Sequence, residues 1–129
     1  MTRPLEVLIL DDEREAADML AELLAVYFPD ARFRVAHTGE DALQLGAARQ
    51  PDVAIMDLEM PGLGGEAAAY ALRADFSGSA VKLIALSGNV LRLAALREAG
   101  PFDHLLSKPV DVQALVELLG RNDHHVRTY

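Results

Sequence analysis

The chain has 129 residues, 51% of them apolar, which is enough for one substantial core and too little for two ordinary domains. Its formal net charge of -8 argues against nucleic acid or anionic lipid as partners, because both attract clustered Lys and Arg. There is no cysteine, hence no disulfide framework, and the opening residues carry neither a signal peptide nor a membrane span. We therefore expect a cytoplasmic protein.

Short apolar runs and helix-like stretches alternate along the first half of the chain. The first apolar run spans 7–10, and the stretch that follows has apolar residues three and four positions apart until Pro29 ends it. A poorer apolar run follows at 33–36, and Thr38 stands where the N-cap of a second helix belongs. These patterns predict two strands, each followed by a helix.

The second half of the chain repeats this alternation. Apolar runs at 53–56 and 81–86, and a weaker one at 104–106, predict three further strands. A helical stretch at about 90–99 lies between the last two, and Asp111 is placed to cap a final helix. Repeated alternation of strands and helices predicts an α/β fold, in which right-handed crossovers place helices on both faces of an open parallel sheet.

Chemically capable side chains follow four of the predicted strands. They are Asp11 and Asp12 after the first strand, Asp57 after the third, Ser87 after the fourth and Lys108 after the fifth. Each residue alone has a structural explanation, such as helix capping, a turn or a solvated charge. Ligands of open α/β sheets, however, bind beyond the carboxyl ends of the strands, so we expect these five side chains to surround one pocket.

The gathering of three carboxylates predicts a divalent cation. Close carboxylates repel each other by roughly 1–4 kcal/mol per pair, so folding alone gives no reason to collect them. Mg²⁺, or Mn²⁺ in its place, would take oxygen ligands from four residues: Asp11, Asp12, Asp57 and the backbone carbonyl of Glu59. Lys108 would add a compact positive charge for a phosphoryl oxygen. The residues therefore predict phosphoryl chemistry, with Asp57 as the nucleophile and an aspartyl phosphate as the product.

Four segments resemble the receiver domains of bacterial two-component response regulators. They are LILDDE, VAIMDLEMPGLGG, LIALSGN and HLLSKPVD, in the family's order and at the expected strand ends. The resemblance, to the stand-alone single-domain type, implies a flavodoxin-like, doubly wound sheet of five parallel strands in the order 2-1-3-4-5. It also implies phosphorylation of Asp57 by a histidine kinase or phosphotransfer protein and slow self-catalysed dephosphorylation. We therefore expect a regulatory phospho-acceptor of a phosphorelay rather than an enzyme.

Roles for the remaining residues follow from the sequence and the resemblance together. Ser87 and Lys108 would bind the phosphoryl group, and the hydroxyl of Ser87 would report its arrival. The positions that flank the site are Glu59, Asn89 and Pro109. Leu105 stands at the position of the conformational readout, where many receiver domains have Tyr or Phe. The chain therefore departs from the family pattern at this position.

We expect a partner surface formed by the fourth helix, the fifth strand and the fifth helix. Apolar residues circle the fourth helix, so Leu93 or Leu96, together with Leu105, would form an exposed patch for a downstream protein or a second copy of the chain. Packing of a short, alanine-rich helix on the sheet explains the same pattern. We assign 1–121 to the domain and 122–129 to a polar tail, which is too short for a DNA-binding output domain.

Three other functions compete with this prediction. An aspartyl-nucleophile phosphatase would need a second aspartate two residues after Asp57, where the chain has Glu59, and a cap for its substrate. A flavodoxin-like mononucleotide binder would need a phosphate loop rich in Gly, Ser or Thr after the first strand, and the chain is acidic there. A receiver-like scaffold that binds partners without phosphorylation remains the alternative.

Overall fold

The computed structural model describes residues 3–62, 64–75 and 81–126, with side chains described as far as residue 121. Strands and helices alternate along these residues. The strands are β1 (Glu6–Leu10), β2 (Arg32–Ala36), β3 (Val53–Asp57), β4 (Lys82–Ser87) and β5 (His104–Ser107). The helices are α1 (Arg14–Tyr27), α2 (Gly39–Ala48), α3 (Gly65–Asp75), α4 (Val90–Glu98) and α5 (Val112–Val126). Each predicted strand is present, with its ends within one residue of the apolar run.

The five strands form one parallel sheet in the order β2-β1-β3-β4-β5, so the predicted α/β fold and strand order are confirmed. Every residue of β1 and β3 is buried, because helices cover both faces of the sheet. One core cluster contains Leu24 of α1 and Leu115 of α5. The other contains Ala42 of α2 and Leu72 of α3. The sheet therefore presents only its edges and strand ends to solvent.

Side-chain caps fix the starts of three helices. The hydroxyl of Thr38 accepts a hydrogen bond from the N–H of Asp41 at 3.0 Å, and a carboxylate oxygen of Asp111 accepts one from the N–H of Gln113 at 3.0 Å. Both caps agree with the sequence-based prediction. The amide oxygen of Asn89 caps α4 in the same way, so this residue has a structural task beside the predicted site.

The predicted exposed patch on α4 is wrong in its residues. Leu93 and Leu96 are only 3% and 9% exposed, because they lie on the face of α4 that packs on the sheet. The large apolar side chains that α4 presents to solvent are Val90 and Leu91, at 72% and 83% exposed. Apolar residues lie on all sides of this alanine-rich helix, so its sequence did not indicate which face would pack on the sheet.

The backbone of α5 continues through Val126, past the predicted start of a polar tail at residue 122. The side chains from residue 122 onward, including His124 and His125, lie outside the described residues, as do residues 127–129. Within the described part of the chain, no helix combines the length and apolar character needed to cross a membrane.

A second group of charges lies at the opposite edge of the sheet, where the strands begin. Glu6 is buried, and its carboxylate lies 3.6 Å from a guanidinium nitrogen of Arg32, 3.8 Å from one of Arg34 and 3.5 Å from one of Arg49. Three cations around one buried carboxylate offset the cost of removing it from water. Nothing in the sequence pattern had indicated this group of charges.

Candidate functional site

Asp57 is held rigidly at the carboxyl end of the central strand β3. It is 4% exposed, and its Oδ1 accepts a hydrogen bond of 3.1 Å from the backbone N–H of Glu59. The start of α3 lies so close that a Cβ at Gly65 would overlap the backbone carbonyl of Asp57. The strand, the following turn and the next helix thus fix one carboxylate at this edge.

Lys108 reaches Asp57 from the end of β5. Its Nζ lies 2.7 Å from Oδ1 of Asp57, and its backbone N–H donates to the carbonyl of Ser87 at 2.9 Å. The peptide bond to Pro109 is cis. Partial burial alone would lower the pKa of Lys108, but the hydrogen bond and negative charge of Asp57 raise it overall. The ammonium is therefore charged at neutral pH.

Three carboxylates meet beside this lysine. Asp11, Asp12 and Asp57 each place an oxygen within 4.8 Å of the oxygens of the other two. Burial raises the pKa of Asp11, and the neighbouring charge of Asp57 raises it further, against the hydrogen bond from the N–H of Glu13. All three ligands are oxygens and Asp12 is exposed, so water can complete the coordination. This donor set fits Mg²⁺.

His37 supports Asp11 from the turn after β2. Its ring Nδ1 lies 3.0 Å from the backbone carbonyl of Asp11. The N–H of Asp11 in turn donates to the carbonyl of Ala36 at 3.1 Å. The segment that carries the acidic pair is thus anchored to the neighbouring strand.

Ser87 ends β4 beside Asp57, but its hydroxyl binds a different carboxylate. The hydroxyl is buried and donates to Oε2 of Glu59 at 2.7 Å, and the N–H of Gly88 donates to Oε1 of Glu59 at 2.7 Å. The N–H of Asn89 donates back to the Ser87 oxygen at 3.0 Å. The structure thus brings Ser87 to the predicted edge, with Glu59 bound to it.

Arg92, in the first turn of α4, is a residue of this site that the sequence analysis missed. Its guanidinium donates to the carbonyl of Leu58 at 2.9 Å and lies 3.9 Å from the carboxylate of Glu59 and 3.4 Å from that of Glu66. Nothing in the local sequence indicates these contacts, because they cross from α4 to the loop after β3.

The charges and donors around Glu59 act together on its carboxylate. Its partial burial alone would raise the pKa of Glu59, but hydrogen bonds from Ser87 and Gly88 and the charges of Lys108 and Arg92 lower the pKa overall. Glu59 is therefore an anion at neutral pH, within two residues of Asp57.

The site lies within a region that matches a known protein family. The model of the response regulator receiver domain family covers residues 7–120. The chain belongs to this family. Members are regulatory phospho-acceptor domains of two-component signalling. The receiver domain also resembles solved structures, among them the receiver domain of a DNA-binding response regulator from Colwellia psychrerythraea, with a TM-score of 0.82 and 25% identity over 93% of this chain and 98% of that one.

Three further similarities bear on the site and on the length of related proteins. The response regulator TrrA from Thermotoga maritima, solved in complex with Mg²⁺ and BeF, has a TM-score of 0.78 and 25% identity over 92% of this chain and 98% of that one. A protein-glutamate methylesterase/protein-glutamine glutaminase of Myxococcus xanthus is 34% identical over 97% of this chain and 36% of its own length. A DNA-binding response regulator MtrA of Mycobacterium leprae is 30% identical over 91% of this chain and 52% of its own length. The receiver domain spans about half or less of these curated relatives.

Leu105 of this receiver domain is partly buried in β5. It packs, together with Phe102, against a small core cluster formed by Leu58, Ala85 and Leu96. That cluster joins the loop after β3 to α4. Leu105 therefore contacts the elements next to the site, although it lacks the aromatic ring common in the family.

A cleft of about 310 Å³ adjoins the acidic group. It lies between α1 and the loop after β5, and its lining includes the charged side chains of Asp11 and Lys108 and the apolar side chains of Met19, Leu23 and Pro109. Met19 and Leu23 are exposed. The cleft therefore leads from solvent to the carboxyl edge of the sheet.

Proposed function

We propose that this receiver domain accepts a phosphoryl group on Asp57, in a Mg²⁺-dependent reaction, from the phosphohistidine of a histidine kinase or phosphotransfer protein. The observation that carries the proposal is the arrangement of three carboxylates within 4.8 Å of one another, with the Nζ of Lys108 at 2.7 Å from Asp57. The Mg²⁺ and BeF complex of the structurally similar TrrA supports it. The acidic group would otherwise be a cost to folding.

The chain's residues have separate tasks in this reaction. A carboxylate oxygen of Asp57 attacks the phosphorus in line, so an O–P bond forms while the P–N bond to the donor histidine breaks and its electron pair stays on the imidazole. Lys108 pairs with an oxygen of the transferred group, and the hydroxyl of Ser87 donates to another. Bound Mg²⁺ would neutralise charge on the transferring oxygens. Its ligands would be Asp11, Asp12, Asp57 and the carbonyl of Glu59.

The phosphorylated domain would act on a downstream protein, or on a second copy of itself, through the face formed by α4, β5 and α5. Arg92 ties α4 to the loop that follows Asp57, and Leu105 packs beside both. A change at the site can therefore reach α4 through direct contacts. Val90 and Leu91 are the exposed apolar side chains that this helix offers a partner.

Intact-mass spectrometry with acetyl phosphate as the phosphoryl donor tests the proposed function. We expect wild-type protein to gain one phosphoryl group in the presence of Mg²⁺ and none with EDTA. Asp57→Asn should gain none, whereas Asp18→Asn, which removes an exposed carboxylate on α1, should react like wild type. Absence of a mass gain with acetyl phosphate and with phosphoramidate would favour a scaffold that binds partners without phosphorylation.

A further inference from the structure

The carboxylate of Glu59 occupies the Ser87 hydroxyl, which is the donor proposed above for a phosphoryl group on Asp57, and also the neighbouring N–H of Gly88. Its Oε2 accepts from the buried hydroxyl of Ser87 and its Oε1 accepts from the N–H of Gly88, each at 2.7 Å. A carboxylate that accepts from two separate donors with its two oxygens resembles part of a phosphoryl group in shape and charge. The side chain of Glu59 thus stands where an anionic ligand of Ser87 is expected.

The surrounding cations match the same interpretation. Lys108 Nζ lies 2.7 Å from Asp57 and 3.9 Å from Glu59, so one ammonium is close to both carboxylates. A guanidinium nitrogen of Arg92 also lies 3.9 Å from the carboxylate of Glu59. The side chain of Glu59 is 40% exposed, so it can turn toward solvent without unpacking the core.

We propose that Glu59 is an internal competitor of the phosphoryl group: it holds the Ser87 hydroxyl and the Gly88 N–H in the unphosphorylated domain and must be displaced when Asp57 is phosphorylated. This inference rests on the proposed function. Two anions cannot share these two donors, because each donor has one hydrogen and the charges repel. Phosphorylation therefore costs the two hydrogen bonds of Glu59 before the switch can complete.

The competition also couples the site to α4. Arg92 holds the carbonyl of Leu58 and contacts both Glu59 and Glu66. When the phosphoryl group displaces Glu59, the loop that begins at Ser87 changes its anionic partner from Glu59 to the group on Asp57. That exchange, at the start of the segment that leads into α4, is the event that the competitor controls.

The hydrogen bond from the Gly88 N–H to Glu59 can be observed by NMR without metal or phosphoryl donor. In the ¹H–¹⁵N spectrum of the Mg²⁺-free protein, a hydrogen bond to a carboxylate moves the Gly88 amide proton downfield. We expect Glu59→Ala to move this resonance upfield, and Glu66→Gln, which removes a carboxylate beside the same arginine without touching Ser87, to leave it in place. An unchanged Gly88 resonance in Glu59→Ala would overturn the proposal.

The competition is measured by titration with beryllofluoride, a phosphoryl analogue, in the presence of Mg²⁺. We expect Glu59→Ala to bind it about tenfold more tightly than wild type, since no charge-assisted hydrogen bonds have to be broken first, and Glu66→Gln to bind it as wild type does. Equal or weaker binding by Glu59→Ala would overturn the competition alone. Failure of every protein, wild type included, to bind beryllofluoride would overturn the proposed function and the competition with it.

Beryllofluoride binding measured in a Ser87→Ala protein separates competition for the hydroxyl from simple removal of a charge. If Glu59 acts by holding the Ser87 hydroxyl, the gain from Glu59→Ala should shrink in a Ser87→Ala protein, where that hydrogen bond is already absent. A pure charge effect would give the same fold-gain in both backgrounds, and that result would overturn the competition. Thermal melts of all variants establish that they are folded.

Discussion

The Nζ of Lys108 and the Oδ1 of Asp57 lie 2.7 Å apart, although the two residues are 51 positions apart in the chain. The contact exists because β3, β4 and β5 are neighbours in the sheet and all end at the same edge. Lys108 offsets one of the three carboxylate charges at this edge and leaves two, which is the charge of one divalent cation. The ion pair therefore leaves this edge with a negative charge that one divalent cation would balance.

Mg²⁺ should stabilise the domain through Asp12. At ten times its Kd the ion contributes about 1.4 kcal/mol of folding free energy, which raises the Tm of a domain of this size by about 3–6 °C. We expect Asp12→Asn to lose most of this rise. Glu13→Gln, an adjacent exposed acid outside the carboxylate group, should keep it. Equal rises for Asp12→Asn and wild type in scanning calorimetry would indicate that the ion binds elsewhere.

Gly65→Ala should destabilise the domain, because the new Cβ would overlap the carbonyl of Asp57. We expect a loss of about 2 kcal/mol or more in the free energy of unfolding. Gly64→Ala is the matched control, since its Cβ would meet the carbonyl oxygen of Met60 at an ordinary 3.5 Å. Urea unfolding measures both. Similar midpoints for the two variants would contradict the close approach of α3 to the site.

The two faces of α4 should respond differently to a charge. Leu93→Glu buries a carboxylate against the sheet and should cost about 3 kcal/mol or more, whereas Leu91→Glu points to solvent and should leave stability nearly unchanged. Urea denaturation followed by circular dichroism compares them. The Leu91 variant then serves as a folded protein in which partner binding can be tested, and unimpaired binding would remove Leu91 from the proposed partner surface.

Stability should fall in mild acid through His104. Burial lowers the pKa of His104 below its usual 6.5, and the nearby charge of Lys82 lowers it further. Because the folded pKa lies below the unfolded one, neutral His104 contributes stability above pH 6.5 that is lost as the pH falls through the folded pKa. We expect His104→Asn to lose less stability than wild type over this range, as measured by urea unfolding at several pH values. An NMR titration that gives His104 a pKa of 6.5 or higher would contradict this.

The fold, and the meeting of the candidate side chains at one edge of the sheet, were predictable because they depend on patterns along the chain. Buried parallel strands give continuous apolar runs, and residues that follow those runs meet at one edge whatever the details of packing. Asp57 and Lys108 could therefore be placed together before any coordinates were known. Thr38 and Asp111 were predictable as helix caps because a cap depends only on the residues next to it in the chain.

Contacts between side chains of distant elements were not predictable in this way. Arg92 and Glu59 meet because α4 lies over the loop after β3, and no spacing in the sequence expresses that proximity. The buried face of α4 was missed for a related reason. Leu93 and Leu91 are equally apolar, and only the position of the helix on the sheet decides which of them is covered.

The two outer strands of the sheet, β2 and β5, influence how readily the protein aggregates at high concentration. Exposed strand edges invite pairing with other chains and hence aggregation. Here β2 bears the arginines Arg32 and Arg34, and β5 at the other border is only four residues long. Both edge strands are thus poor templates for intermolecular sheet growth, so the fold itself opposes aggregation through its edges.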